Sequence, residues 1–188
     1  MSTTLIVLIV PLLLVVWVVA LFNRLVALRN QTTNGWRQID VQLKRRHDLI
    51  PNLVSSVKGV MEFERDTLTQ VVEARAKATT ATGPADAAVK EGALTAALGK
   101  LFALAENYPQ LHANENVRAL QEELASTENK IGFARQFYND IATSFNTAQQ
   151  RFPANLLAST FGFKPAELFE LADAAERAVP GVDLSMKK

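Results

Sequence analysis

From Leu5 to Phe22 the chain reads LIVLIVPLLLVVWVVALF, eighteen residues without a charge. As a helix this run is roughly 27 Å long, close to the hydrocarbon thickness of a bilayer. Its fifteen Leu, Ile, Val and Phe side chains together favour insertion by roughly 5 to 9 kcal/mol, which Pro11 does not outweigh. A cleaved signal peptide needs a basic stretch before its apolar core and a small-x-small site after it. MSTT supplies no Lys or Arg, and the run exits into FNRL. The expectation is therefore a single-pass anchor over residues 1–23. Leu5, Val10, Leu14, Trp17 and Phe22 lie in lipid, and Arg24 and Arg29 lie at the headgroups, for about 1 kcal/mol each. Arg24, Arg29 and Arg37 follow the span and no cation precedes it. Charge bias then puts the short N-terminus outside and the C-terminal body in the cytoplasm.

Charge is divided along the chain. Residues 1–58 carry seven Lys/Arg against two Asp/Glu, and residues 59–188 carry thirteen against seventeen. A basic collar thus precedes a mildly acidic body. Cysteine is absent and histidine occurs only at His47 and His112, which excludes disulfides, thiolate metal sites and cysteine nucleophiles.

Beyond the anchor, helical spacing replaces any strand-like alternation. Val117, Leu120, Leu124, Thr127, Ile131, Ala134, Tyr138, Ile141, Phe145 and Ala148 recur in steps of three and four, the a/d pattern of a coiled-coil seam. A second seam runs through Trp36, Ile39, Leu43, Arg46, Ile50, Leu53, Val57, Val60, Glu64, Thr67 and Val71. It keeps its phase across Pro51, so a long helix with at most a kink is expected there. The alternative is a break, with Asp48 capping a new helix that has Pro51 in its first turn. Leu94, Leu98, Leu101, Ala105 and Tyr108 form a third stripe between TGPAD and Pro109, with Gly83 ending the helix before it. A short helix is expected after Gly162 and Lys164-Pro165, carrying Leu168, Phe169, Leu171 and Ala172 and stopped by Pro180-Gly181. The fold class is all-α: a transmembrane helix continuing into an antiparallel four-helix bundle with long coiled-coil-like helices. The bundle domain covers residues 24–180, and residues 181–188 are a tail.

Reactive motifs are scarce. GALTAALGK has six residues between its glycines where a phosphate loop has four, and it lies inside a helical stripe. His47-Asp48 resembles part of a phosphohydrolase metal site, but two histidines and no cysteine argue against zinc. His47 reads better as a solvated or capping histidine beside the seam. Few cations and an acidic body argue against nucleic-acid binding. Lys44-Arg45-Arg46 stands roughly 30 Å beyond Arg24 along a continuous helix, too far to touch lipid unless Thr32-Thr33-Asn34-Gly35 bends the chain. No cofactor or metal is expected.

What remains is polar residues at core positions. Arg46 and Glu64 fall on the second seam, where an unpaired buried charge costs several kcal/mol. On one helix they stand roughly 27 Å apart and cannot pair with each other. Candidate partners are Thr127, Glu128, Asn129, Arg135, Asn139 and Asp140, so a polar core of Arg46, Glu64, Glu128, Asn129, Arg135 and Asn139 is expected to fix helix register.

These stretches carry a resemblance. NRLVALRNQTTNGWRQIDVQLKRRHDLIPNLVSSVKG, ENYPQL, LQEELASTENKI, ARQFYNDIATSFN and FGF resemble the successive motifs of the LemA family of bacterial membrane proteins. The resemblance implies one N-terminal transmembrane helix, a soluble helical bundle and a place in the bacterial cytoplasmic membrane. Relatives associated with magnetosome membranes suggest a part in membrane organisation, and no catalytic residues carry over. Gly35 stands where alanine is common, and Phe63 where histidine is frequent. The function expected is a noncatalytic membrane-anchored scaffold or adaptor that contacts lipid and self-associates. The alternatives are a regulatory or sensor partner of a membrane protease or transporter, and a hydrolase centred on His47 and Glu64.

Overall fold

The computed structural model describes residues 2–61 and 63–170, and all regular structure among them is helical. The helices are α1 (Ser2–Lys58), α2 (Arg65–Ala78), α3 (Gly83–Ala105), α4 (Pro109–His112), α5 (Glu115–Gln150) and α6 (Ala154–Thr160). Leu171, Ala172, the Pro180-Gly181 stop and the 181–188 tail lie outside the described residues, as do the side chains of Leu5 and His112.

Helix α1 holds 57 residues in one piece, about 85 Å of helix. Its apolar first part is long and apolar enough to cross a membrane. Val10, Leu14 and Trp17 stand exposed, with no protein around them, as lipid-facing side chains would. Burial begins at Leu25, which packs with Ala154 and Ala158. The helix is not interrupted at Thr32–Gly35. The Thr32 and Thr33 hydroxyls donate to the carbonyls of Leu28 and Arg29 one turn back, and the helix runs on. It also passes Pro51, so the alternative of a break there does not hold.

The second seam is nevertheless not one helix. α1 stops at Lys58, and Gly59 begins the turn that leads to α2. Glycine is the poorest helix former after proline, which favours a stop here. Burial resumes at Leu68 and Val71 rather than at Thr67. The three-and-four count from Trp36 to Val71 thus joins two separate helices, and Glu64 lies in the turn between them.

A four-residue connection joins α2 to α3. Gly83 opens α3 with a φ of 82° rather than ending α2, and a proline follows in the first turn. The Asp86 carboxylate accepts from Lys90 Nζ and from the Thr82 backbone N–H, each at 2.8 Å. The Lys90 hydrogen bond, then the Thr82 one, holds its carboxyl below the ordinary range. α5 starts at Asn114, whose Oδ1 accepts from the N–H groups of Asn116 and Val117, as an N-cap should.

α5 runs antiparallel to α1. Arg45 meets Glu123 near its start, Tyr138 lies against Gly35, and α6, just past its end, reaches Leu25. The α5 seam drifts along the helix: Val117, Leu124, Thr127, Ile131, Tyr138 and Phe145 are buried as expected, but Ala142 and Gln149 are buried in place of Ile141 and Ala148, which are half-buried. A helix of 3.6 residues per turn advances past a 3.5-residue stripe in this direction.

The segment after Gly162 is not the expected helix. Residues 163–170 are irregular and lie along α5. Asn139 Nδ2 donates to the Phe169 carbonyl at 3.1 Å, and its Oδ1 accepts the Phe169 N–H at 2.9 Å. One heptad later, Asn146 makes the same pair of bonds with Ala166 at 2.9 and 2.7 Å. Two side-chain amides thus stand in for a neighbouring strand, and the backbone they satisfy needs no helix. Tyr138 Oη donates to the Glu167 carbonyl at 2.6 Å. Burial, then the nearby Glu167 charge, pushes this phenol above its ordinary range, which keeps the donor proton in place. The result is a strap that seats Phe169 in the core beside Trp36, with ring centroids 6.1 Å apart.

Asn139→Ala removes one of the two brackets and leaves the Phe169 backbone without its side-chain partners. It is expected to destabilise the fold by about 1 to 3 kcal/mol and to speed proteolysis within residues 163–170. Urea unfolding and limited proteolysis check both, and an unchanged cleavage rate would show that the strap is held by other contacts.

Candidate functional site: a polar node joining four helices

The sequence LKRRHDLIPNL ends in a proline inside α1, and its chemistry starts from that proline. In an α-helix the carbonyl of residue i accepts the N–H of residue i+4. Pro51 has no N–H, so the His47 carbonyl loses its helical donor. Arg75 of α2 takes that place, with Nε donating to the His47 carbonyl at 2.6 Å. The proline is therefore the docking point of a second helix.

The two side chains beside that carbonyl face the other helices. Arg46 is 2% exposed. Its Nη1 donates to Glu128 Oε2 of α5 at 2.6 Å. Its Nη2 donates to Thr95 Oγ1 at 2.9 Å and to the Glu91 carbonyl at 3.3 Å, both on α3. The Glu91 carboxylate, itself buried, lies 3.6 Å from the same guanidinium through Oε2. Its other oxygen, Oε1, is 2.6 Å from His47 Nε2. Residues of α1, α2, α3 and α5 thus meet within one cluster. The guanidinium fork serves three acceptors on two helices from two separate nitrogens, a planar reach that a single ammonium centre does not supply.

Several expected members lie elsewhere. Glu64 is half-buried in the turn before α2 and accepts from Tyr108 Oη at 3.2 Å, well apart from Arg46. Asn129 is exposed, because the inward positions of this turn are Leu124, Thr127 and Ile131. Glu128 is also exposed but long enough to reach back to Arg46. Arg135 is half-buried with no ion pair among the described residues, and Asn139 holds the strap instead. His47 is buried against Glu91 rather than solvated or capping. A hydrolase centre joining His47 to Glu64 has no geometric basis, since the carboxylate beside His47 is Glu91. Among the described residues there is no group of three or more His, Cys, Asp or Glu placed to hold a metal ion.

Two predictions test the node. Arg75→Met is expected to lose about 1.5 to 3 kcal/mol of stability, the worth of a charged hydrogen bond. In a Pro51→Ala background the new N–H satisfies His47, and the same change should then cost less than half as much. Additive losses in the double-mutant cycle would show that Arg75 and Pro51 act independently. Arg46→Met leaves Glu91 buried without its guanidinium and is expected to destabilise by about 3 kcal/mol. Adding Glu91→Leu should recover part of that loss in the same urea titration.

The LemA family profile matches residues 35–184, most of the chain. Magnetosome protein MamQ 2 of Paramagnetospirillum magneticum is 24% identical, with 84% of this chain and 68% of that protein covered. Protein LemA of Metamycoplasma hominis is 26% identical, with 80% and 69% covered. Magnetosome protein MamQ of Magnetospirillum gryphiswaldense is 23% identical, with 84% and 68% covered. By the extent of that profile match, across both the polar node and the asparagine-held strap, the chain belongs to the LemA family.

Proposed function

We propose that this protein is a noncatalytic, membrane-anchored scaffold whose helical bodies associate side by side on the cytoplasmic face of the bacterial membrane. The observation that carries this reading is the continuity of α1. One helix leaves the lipid-exposed stretch and becomes the helix that pairs with α5 and carries the node. The body is thus fixed to its anchor without a linker, as suits a spacer or assembly module. The magnetosome proteins among its relatives fit a part in organising membrane.

A lateral surface suits a second copy. Val41 of α1 and Phe133 and Phe137 of α5 are exposed together along one groove. Val41 lies about 28 Å beyond Phe22 along α1, so the groove opens sideways, parallel to the membrane. Anchoring confines neighbouring copies to a plane with this groove at one height, which raises their effective concentration.

Because the chain has no cysteine, single cysteines report contacts directly. Phe137→Cys in native membranes, treated with a short bis-maleimide, is expected to give a crosslinked dimer, whereas Phe63→Cys is not. Absence of that dimer, together with a full-length protein that stays monomeric across dilution in mild detergent, would overturn self-association.

A further inference from the structure

The end of the body nearest the anchor carries a second apolar surface. α6 buries Ala154 and Ala158 against Leu25. Leu156 projects from the opposite face, 59% exposed, between Phe152 at 81% and Phe161 at 61%. Within a soluble body such a cluster would be unfavourable in water. Its position supplies the occupant. The Phe161 ring packs edge-on to Phe22, the last residue of the apolar run, with centroids 4.9 Å apart. Leu25, on which α6 rests, lies three residues further along α1, about 5 Å. The headgroup layer on each side of a bilayer is about 5 to 8 Å thick, so α6 falls at its level.

Charge points the same way. All nineteen Asp and Glu lie in residues 40–140 and 167–188. Residues 1–39 and 141–166 contain none. Their charged side chains are Arg24, Arg29, Arg37, Arg151 and Lys164, all cationic. Arg29 lies over the Phe163 ring, 5.3 Å from its centroid, which ties this cationic rim to the α6 region. An anionic leaflet attracts such a rim and a protein partner with a basic surface would not.

We infer that α6, with Phe152, Leu156 and Phe161, is seated in the interfacial layer of an anionic bilayer and forms a second membrane contact beside the span. The anchor alone leaves the body free to tilt about its exit point. The second contact sets which side of the body faces the membrane and in which direction the Val41–Phe137 groove opens. This inference rests on reading the apolar part of α1 as a membrane span.

The test uses the full-length protein in vesicles of phosphatidylethanolamine and phosphatidylglycerol. An environment-sensitive fluorophore is placed on Leu156→Cys, Phe161→Cys, Val15→Cys or Phe63→Cys, the last being an equally apolar but distant exposed site, 94% exposed. Spin-labelled lipids with shallow nitroxides are expected to quench the labels at 156 and 161 several-fold more than the label at 63. Deep nitroxides are expected to quench the label at 15. If the labels at 156 and 161 respond no more than the one at 63 while the label at 15 is quenched, the α6 contact is wrong and the span stands. If the label at 15 also fails to respond, the span reading falls and the α6 contact with it. Labels at 156 and 161 shielded from both lipid nitroxides and aqueous iodide would place protein over α6 and overturn the lipid seat.

Discussion

The His47 carbonyl has no helical donor because Pro51 stands four residues on, and Arg75 supplies the missing hydrogen bond from a different helix. A proline in a helix interior ordinarily costs about 3 kcal/mol relative to alanine. Here the freed acceptor joins α2 to α1 at the level where Arg46 and His47 join α1 to α3 and α5. The backbone defect and the buried charges therefore belong to a single junction. Leucine-type seams can slide by a heptad with little loss of apolar burial. A guanidinium that must meet Glu91, Thr95 and Glu128 together has one register in which it fits, which is the attested use of buried polar groups in coiled coils.

That junction matters for function through α1. The same helix carries the exposed apolar side chains between Leu8 and Val19 at one end and the node at the other. Fixing α2, α3 and α5 on α1 fixes them relative to the apolar end of that helix as well. The two apolar surfaces, one lateral at Val41 and Phe137 and one at the membrane-proximal end, then acquire defined directions. A flexible tether would leave both undefined.

Much of this was legible in the residues. The long apolar N-terminal helix followed from eighteen uncharged residues, and the all-helical class from three-and-four spacing. Arg46 stands out because the seam places a cation in the core, and Glu128 is among the partners the sequence offers it. Glu91 was missed, although it lies three residues before Leu94 and so continues the same stripe. Its surroundings of alanine concealed the pattern, because small side chains mark a buried face weakly. Glu64 misled because the chain reverses between α1 and α2 without disturbing the count of three and four. The strap was hidden for a different reason. Leu168 and Phe169 look like one side of a helix, and the backbone partners that make a helix unnecessary, Asn139 and Asn146, lie 30 and 20 residues away.

The pairing of α1 with α5 spans a long stretch of chain: Arg46 and Glu128 are 82 residues apart. At about 5 to 20 residues per second, a ribosome needs roughly 4 to 16 seconds to make that stretch. During that interval the inward stripe of α1 waits uncovered. The helix that sets the mature architecture is therefore also the one whose correct partner arrives last, and its buried arginine helps reject a helix offered in the wrong register meanwhile.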